Sequence, residues 1–219
     1  MNKSLLRPFR GFMIPGMYFS SGYCLCLFNF SSTPTDLGAY SDIWLITPEE
    51  KRILYTNPEA AGAIVCTFHD FHEVVGASLV WEWSMSETFH VGMEAMDGTT
   101  LDLQVSLGSS LGTRVLNAVT KITPRVLMMT SLMVAISEIS LNLLLGLGGL
   151  KIAGRTETGK AYLNEADRLA VVKEASARLN DRDLGKLTRP PKPILFGQVR
   201  VPNRALFSFG TLHLECTKS

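Results

Sequence analysis

The stretch "MDGTTLDLQVSLGSSLGTRVLNAVTKI", Met96 to Ile122, changes period in its middle, and that change decides the fold. Asp97-Gly98 is a favoured two-residue hairpin turn, because glycine accepts positive φ at no steric cost. After it, Leu101, Leu103, Val105 and Leu107 alternate with Thr100, Asp102, Gln104 and Ser106. A period of two predicts a half-buried antiparallel strand with one wet or cavity-facing side. Beyond Gly108 the spacing becomes helical. Leu111, Val115, Leu116, Val119 and Ile122 share one face, with Arg114, Asn117 and Lys121 opposite.

Strands are expected on both sides of this point. Asp42–Thr47 and Arg52–Thr56 read as a hairpin, closed by Asn57-Pro58. Ala63–Phe68, Glu73–Ser84 and Thr88–Ala95 are rich in β-branched and aromatic residues and read as further strands. After the helices, Lys151–Thr156 and Lys160–Ala166 predict a hairpin. Arg168–Asn180 fits a strand or a helix, and its neighbours favour the strand. Ile194–Val201 and Arg204–Glu215 are expected to form a last hairpin. The plan is α+β: a curved, mostly antiparallel sheet or partial barrel with an inserted two-helix hairpin.

The chain has 219 residues, 46% of them apolar and 19% charged, with a formal net charge of +1. That size fits a single domain with a substantial core. The charge balance and the lack of a basic stripe interleaved with aromatics argue against a nucleic-acid partner. Cys24, Cys26, Cys66 and Cys216 show neither paired metal-ligand spacing nor a dense disulfide framework, as for reduced thiols in a cytoplasmic protein.

Residues 1–40 differ from the rest. Lys3, Arg7 and Arg10 precede an apolar, aromatic run, with no acid before Asp36. The outline is that of a targeting peptide, but Gly11, Pro15, Gly16 and Gly22 interrupt it. The expectation is a poorly ordered or targeting extension, followed by a single domain over residues 41–219.

Thr123-Pro124 predicts the start of a second helix, running to the stop signals Gly146, Gly148 and Gly149. Between Arg125 and Lys151 its only charge is Glu138. A charged acid at a bilayer centre costs about 2.5–3.5 kcal/mol, so a buried helix across a sheet is preferred to a stable membrane span. Ser131, Glu138 and Asn142 form a narrow polar stripe on this helix. Met128, Met129 and Met133 suit an adaptable apolar lining.

Chemistry is sparse, and no complete catalytic or cofactor motif is present. "CTFHDFHEVVG", Cys66 to Gly76, gathers His69, Asp70, His72 and Glu73. Metal binding needs three convergent ligands, and no H-E-x-x-H spacing is present, so a polar strand connection at a pocket rim is expected and no metal is assigned. His72 is a candidate acid–base residue, since imidazole titrates near neutral pH. Lys151 is a candidate nucleophile if desolvated. Glu138 is a candidate acid if buried, or half of an ion pair with Arg155 or Arg114.

Gly154 to Gly210, "GRTETGKAYLNEADRLAVVKEASARLNDRDLG…FGQVRVPNRALFSFG", resembles the C-terminal halves of uncharacterised bacterial proteins. They share a short hairpin, an SARLN-DLG-type segment, an FG-strand and a final strand after a proline turn. The resemblance implies a recurring domain and carries no activity. A more distant likeness is to the acetoacetate decarboxylase-like fold, a curved antiparallel sheet around an apolar pocket. That family's lysine pair has no match here, because Lys151 stands between Leu150 and Ile152.

The functional expectation is a small apolar or amphipathic molecule bound between sheet and long helix. Asp102, Gln104, Glu138, Asn142, Met129 and Met133 are its candidate ligand-binding residues, because apolar pockets with a few placed polar groups are the usual ligand sites. A lyase-like enzyme using Glu138, His72 or Lys151 is the alternative. An oligomeric protein, such as a homo-dimer, whose apolar surface is a subunit interface is another.

Overall fold

The computed structural model describes residues 6–85, 87–122 and 130–216. In chain order the elements begin with β1 (Leu6–Tyr18), β2 (Cys24–Ser32), β3 (Tyr40–Ile46) and β4 (Arg52–Asn57). Then come α1 (Ala61–Val65), β5 (Glu73–Met85), β6 (Thr88–Ala95) and β7 (Thr100–Gly108). Helices α2 (Leu111–Ile122) and α3 (Ser131–Leu145) follow. The chain closes with β8 (Ala153–Arg155), β9 (Ala161–Leu179), β10 (Arg182–Asp183), β11 (Leu195–Phe196), β12 (Val199–Arg200) and β13 (Leu206–Glu215). The protein is mostly β, with a large, mixed but largely antiparallel sheet and few helices.

Strand pairing runs β9-β13-β1-β2-β3-β4-β5-β6-β7 and returns to β9. The long β9 makes the return: its first half pairs with β13 and its second half with β7. A ring of pairings leaves none of its members with an open edge. Inward side chains fill the ring, with Ile14, Leu27, Ile43, Phe89 and Leu103 fully buried in one cluster. Gly11 and Gly210 face each other across β1 and β13, each at a register shift. A Cβ at Gly11 would lie 2.0 Å from the Asn29 carbonyl oxygen, and one at Gly210 2.1 Å from that of Glu165. The strands pinch together there, and only glycine permits it.

The hairpin β3–β4, the strand β7 and the strand reading of Arg168–Asn180 stand as the sequence predicts. Several expectations are corrected. Much of the segment read as an extension forms β1 and β2, in the middle of the sheet. These strands are covered on both faces, so they lack the polar alternation that marks a half-buried strand. Ala63–Phe68 is not a strand. Its start belongs to α1, and the segment carries the crossover that the parallel pair β4–β5 requires. The last hairpin is also different. β11 and β12 pair with each other around Gly197, whereas β13 pairs with β1 and β9.

The helices correct a further expectation. Helix α3 is not a buried helix, because only Leu141 and Leu145 of its residues are buried. Helix α2 turns Leu111, Val115 and Val119 to solvent, while Thr113 is fully buried. The predicted helix start at Thr123-Pro124 lies outside the described residues. Within them, Thr130 caps α3 through its hydroxyl, which accepts from the Met133 N–H at 3.4 Å, and Gly146 ends it at φ 65°. Among the described residues no helix is long and apolar enough to cross a membrane.

Candidate functional site

The outer face of the sheet carries a second core over β1, β2, β3 and β13. Strand β3 is buried along its whole length because both its faces are covered. Ile43 and Leu45 point into the ring, while Tyr40, Trp44 and Ile46 point outward. Strand alternation places Asp42 on that outward face, between two aromatic residues, at 1% exposure. An acid stands where the pattern calls for an apolar side chain.

A cavity of about 100 Å³ lies over this face. Its floor includes Met13, Phe28, Asp42, Trp44 and Ser208. Its roof comes from Phe68 and His69 after α1, from Leu150 to Ile152, and from Val199. The lining is predominantly apolar and aromatic, and the polar groups in it are short of partners. Asp42 Oδ1, Trp44 Nε1, His69 Nδ1 and Asn164 Oδ1 are all buried without a hydrogen bond. Asn164 donates weakly to the Ser208 hydroxyl at 3.4 Å. The Tyr162 hydroxyl donates to the Lys151 carbonyl at 3.3 Å.

Burial holds the Asp42 carboxyl well above the ordinary aspartate range, and the nearby Trp44 indole N–H offsets only part of that. The shift extends the pH range of the neutral acid, a form that donates a hydrogen bond as well as accepting one. Burial, followed by the charges of Asp42 and Cys216, also raises the Tyr40 phenol. Burial first, then the Glu138 charge, raises the Tyr162 phenol. The cavity therefore disfavours negative charge throughout.

The roof is pinned from outside the cavity. Glu157 accepts from Arg52 at 2.6 Å and from the Asp70 backbone N–H at 3.1 Å, and lies 3.6 Å from His69 Nδ1. Burial would raise its pKa, but His69, Arg52 and the Asp70 N–H together outweigh that and bring it to about 2. Arg52 also donates to the Leu195 carbonyl and covers the Phe196 ring at 4.5 Å. His69 packs against Trp44 with ring centroids 4.9 Å apart.

A smaller cavity of about 70 Å³ lies between the α2–α3 pair and the sheet. It shares Leu150, Ile152, Asn164 and Leu206 with the first. These four residues form a common wall between a cavity under the roof and a cavity under the helices.

The candidates read from sequence fall in different places. Glu138 and Asn142 hold this wall. Glu138 Oε1 accepts from the backbone N–H groups of Ile152 and Ala153, at 2.9 and 3.2 Å. Asn142 Oδ1 accepts from those of Gly149 and Leu150, and its amide donates to the Leu150 and Glu138 carbonyls. Glu138 is thus partnered by backbone amides rather than by an arginine: Arg155 donates to the Gly159 carbonyl, and Arg114 is exposed. Lys151 is exposed, and its carbonyl rather than its amine serves the site. Met133 is half-buried on α3 and lines neither cavity, and Met129 lies outside the described residues.

Asp102 and Gln104 are exposed on the outer face of β7 and line neither cavity; Asp102 pairs with His90 at 3.2 Å. His72 is exposed, and its Nδ1 accepts from the Arg52 backbone N–H at 3.1 Å, capping β4. Of the His69–Glu73 cluster only His69 enters the cavity. Among the described residues no three His, Cys, Asp or Glu side chains are grouped to hold a metal ion.

Comparison of the chain with family models, with curated proteins and with solved structures returns no match.

Proposed function

We propose that the protein binds a small, uncharged amphipathic molecule in the cavity above Asp42. On this reading the ring of strands is a barrel-like scaffold, and its outer face rather than its filled interior carries the ligand. One observation supports it above the rest: Asp42 Oδ1, Trp44 Nε1 and Asn164 Oδ1 are three buried polar atoms without a hydrogen bond around one apolar cavity, whereas His69 Nδ1 is turned to Glu157. Leaving a buried polar group unpaired costs about 1–3 kcal/mol, and a ligand that pairs with it removes that cost. Neutral Asp42 and the Trp44 indole offer donors, and Asn164 Oδ1 offers an acceptor. The ligand is therefore expected to carry a hydroxyl or carbonyl on an apolar ring or short chain. The cavity is smaller than the roughly 150 Å³ site known to hold benzene, so an aromatic alcohol enters only with movement of the shared wall.

Phenol is a fitting probe. Titration followed by ligand-observed NMR and by tryptophan emission should show saturable binding, lost in Asp42→Leu. A flat titration for phenol and for benzyl alcohol, with native mass spectrometry of the fresh protein showing bare chain mass, would remove this reading. An acid-catalysed reaction in the same cavity is the second reading, favoured by a buried carboxyl of raised pKa beside an apolar cavity. Asp42→Asn separates the two: the amide keeps a donor and an acceptor, so binding survives, whereas proton transfer does not.

A further inference from the structure

We propose that the outward face of the α2–α3 pair docks on an anionic lipid surface. Both helices turn apolar residues to solvent as well as to the sheet, where Leu116, Leu141 and Leu145 pack. Helix α2 directs Thr113, Asn117 and Thr120 toward the protein. There Asn117 pairs with both backbone groups of Leu169, and Thr120 bonds the Leu116 carbonyl. Its apolar residues Leu111 and Val115 face solvent, Leu111 at 79% exposure. Helix α3 is apolar on most of its circumference, with Leu141 and Leu145 buried against the sheet. Glu138 and Asn142 face the Gly149–Ala153 loop, while Leu132, Ile136, Ile139 and Leu143 are exposed, Leu143 at 80%. These spacings put an unbroken apolar stripe on the outside of each helix. A soluble surface rarely leaves two adjacent stripes of this kind uncovered.

Charge selects the occupant. No Asp or Glu occurs from Leu103 to Ser137. Arg114 and Lys121 are exposed on α2, at the border of its apolar stripe. The acid of α3, Glu138, is turned inward onto the Ile152 and Ala153 amides. The exposed face is therefore apolar with a basic margin, the composition of a helix lying in the interface of an anionic bilayer. A second copy of the chain would bring like margins together, which opposes a symmetric contact. No described helix is long enough to cross a membrane, so the pair lies along the surface. This inference is independent of what occupies the cavity above Asp42.

The test is flotation of the full-length protein with large vesicles of phosphatidylcholine, alone or with one-third phosphatidylserine. The protein should float with the anionic vesicles and bind the neutral ones about 25-fold more weakly, as expected for two surface cations at roughly fivefold each. High salt or the double change Arg114→Gln/Lys121→Gln should lower anionic binding to the neutral level. Ile139→Ser/Leu143→Ser should abolish flotation with both vesicles, with an unchanged circular-dichroism melt because both residues are exposed. Absence of flotation with anionic vesicles, or equal binding to both compositions, overturns the proposal. So does a wild-type dimer in native mass spectrometry that Ile139→Ser/Leu143→Ser converts to monomer without any vesicle binding, which would mark a subunit interface instead.

Discussion

Asp42 and Trp44 stand two positions apart on the outer face of β3, and neither Asp42 Oδ1 nor Trp44 Nε1 has a hydrogen bond. A buried polar group left unpaired costs about 1–3 kcal/mol, so this acid and this indole N–H weaken the fold.

The first prediction concerns pH. An unfolded aspartate titrates near ~3.9, and folding raises Asp42 above that. A group with a raised folded pKa contributes stability fully present below the unfolded value and lost as pH rises through the folded one. Asp42→Asn removes this loss. The variant should gain stability over the parent progressively as pH rises above about 4, read from thermal melts. A difference in Tm that stays constant over that rise would contradict a raised Asp42.

The roof pin has the opposite sign. Glu157 is lowered to about 2, against ~4.3 for a free glutamate. Its contribution is present above the unfolded value and lost as pH falls toward the folded one. After allowance for solvent screening it should amount to about 1–2 kcal/mol at neutral pH. Urea midpoints measured from about pH 5 down to about pH 2 should therefore fall more steeply for the parent than for Glu157→Gln. Parallel curves would show that the Arg52–Glu157–His69 contact contributes nothing to stability.

Asn142 should matter more than Glu138. Asn142→Leu removes four hydrogen bonds and leaves the Gly149 and Leu150 amides unpaired, a loss of roughly 2–4 kcal/mol. Glu138→Gln keeps an acceptor oxygen for Ile152 and Ala153 and should cost about 1 kcal/mol or less. Denaturant midpoints give the order, and faster hydrogen exchange at Leu150 and Ile152 in Asn142→Leu would locate the damage at the shared wall. The reverse order of cost would move the wall's support onto the carboxylate.

The sequence is legible where one face of an element meets water. Leu101 to Leu107 alternates cleanly because Asp102 and Gln104 are exposed. The strands β1 and β2 are hidden in the sequence for the opposite reason: cover on both faces erases alternation, and Gly11, Pro15 and Gly16 read as breaks rather than as irregularities within a strand. The helical periods of α2 and α3 are readable, but not which stripe meets the sheet, and here the apolar stripes face outward. The site itself carried one signal. Asp42 shares parity with Tyr40, Trp44 and Ile46, an acid on an aromatic face of a strand. The denser His69–Glu73 cluster draws attention first, yet only His69 reaches the cavity, because the turn after α1 directs His72 back onto β4.

The most direct measurement of the central claim is a paired one on Asp42→Leu: its melting temperature and its affinity for phenol. Leucine removes an unpartnered buried carboxyl and fills the space with apolar atoms. If Asp42 is kept for a ligand, the variant should be more stable than the parent by about 1–3 kcal/mol and should bind phenol at least tenfold more weakly. A variant that is less stable than the parent and binds phenol unchanged would show that Asp42 holds the fold together and serves no ligand.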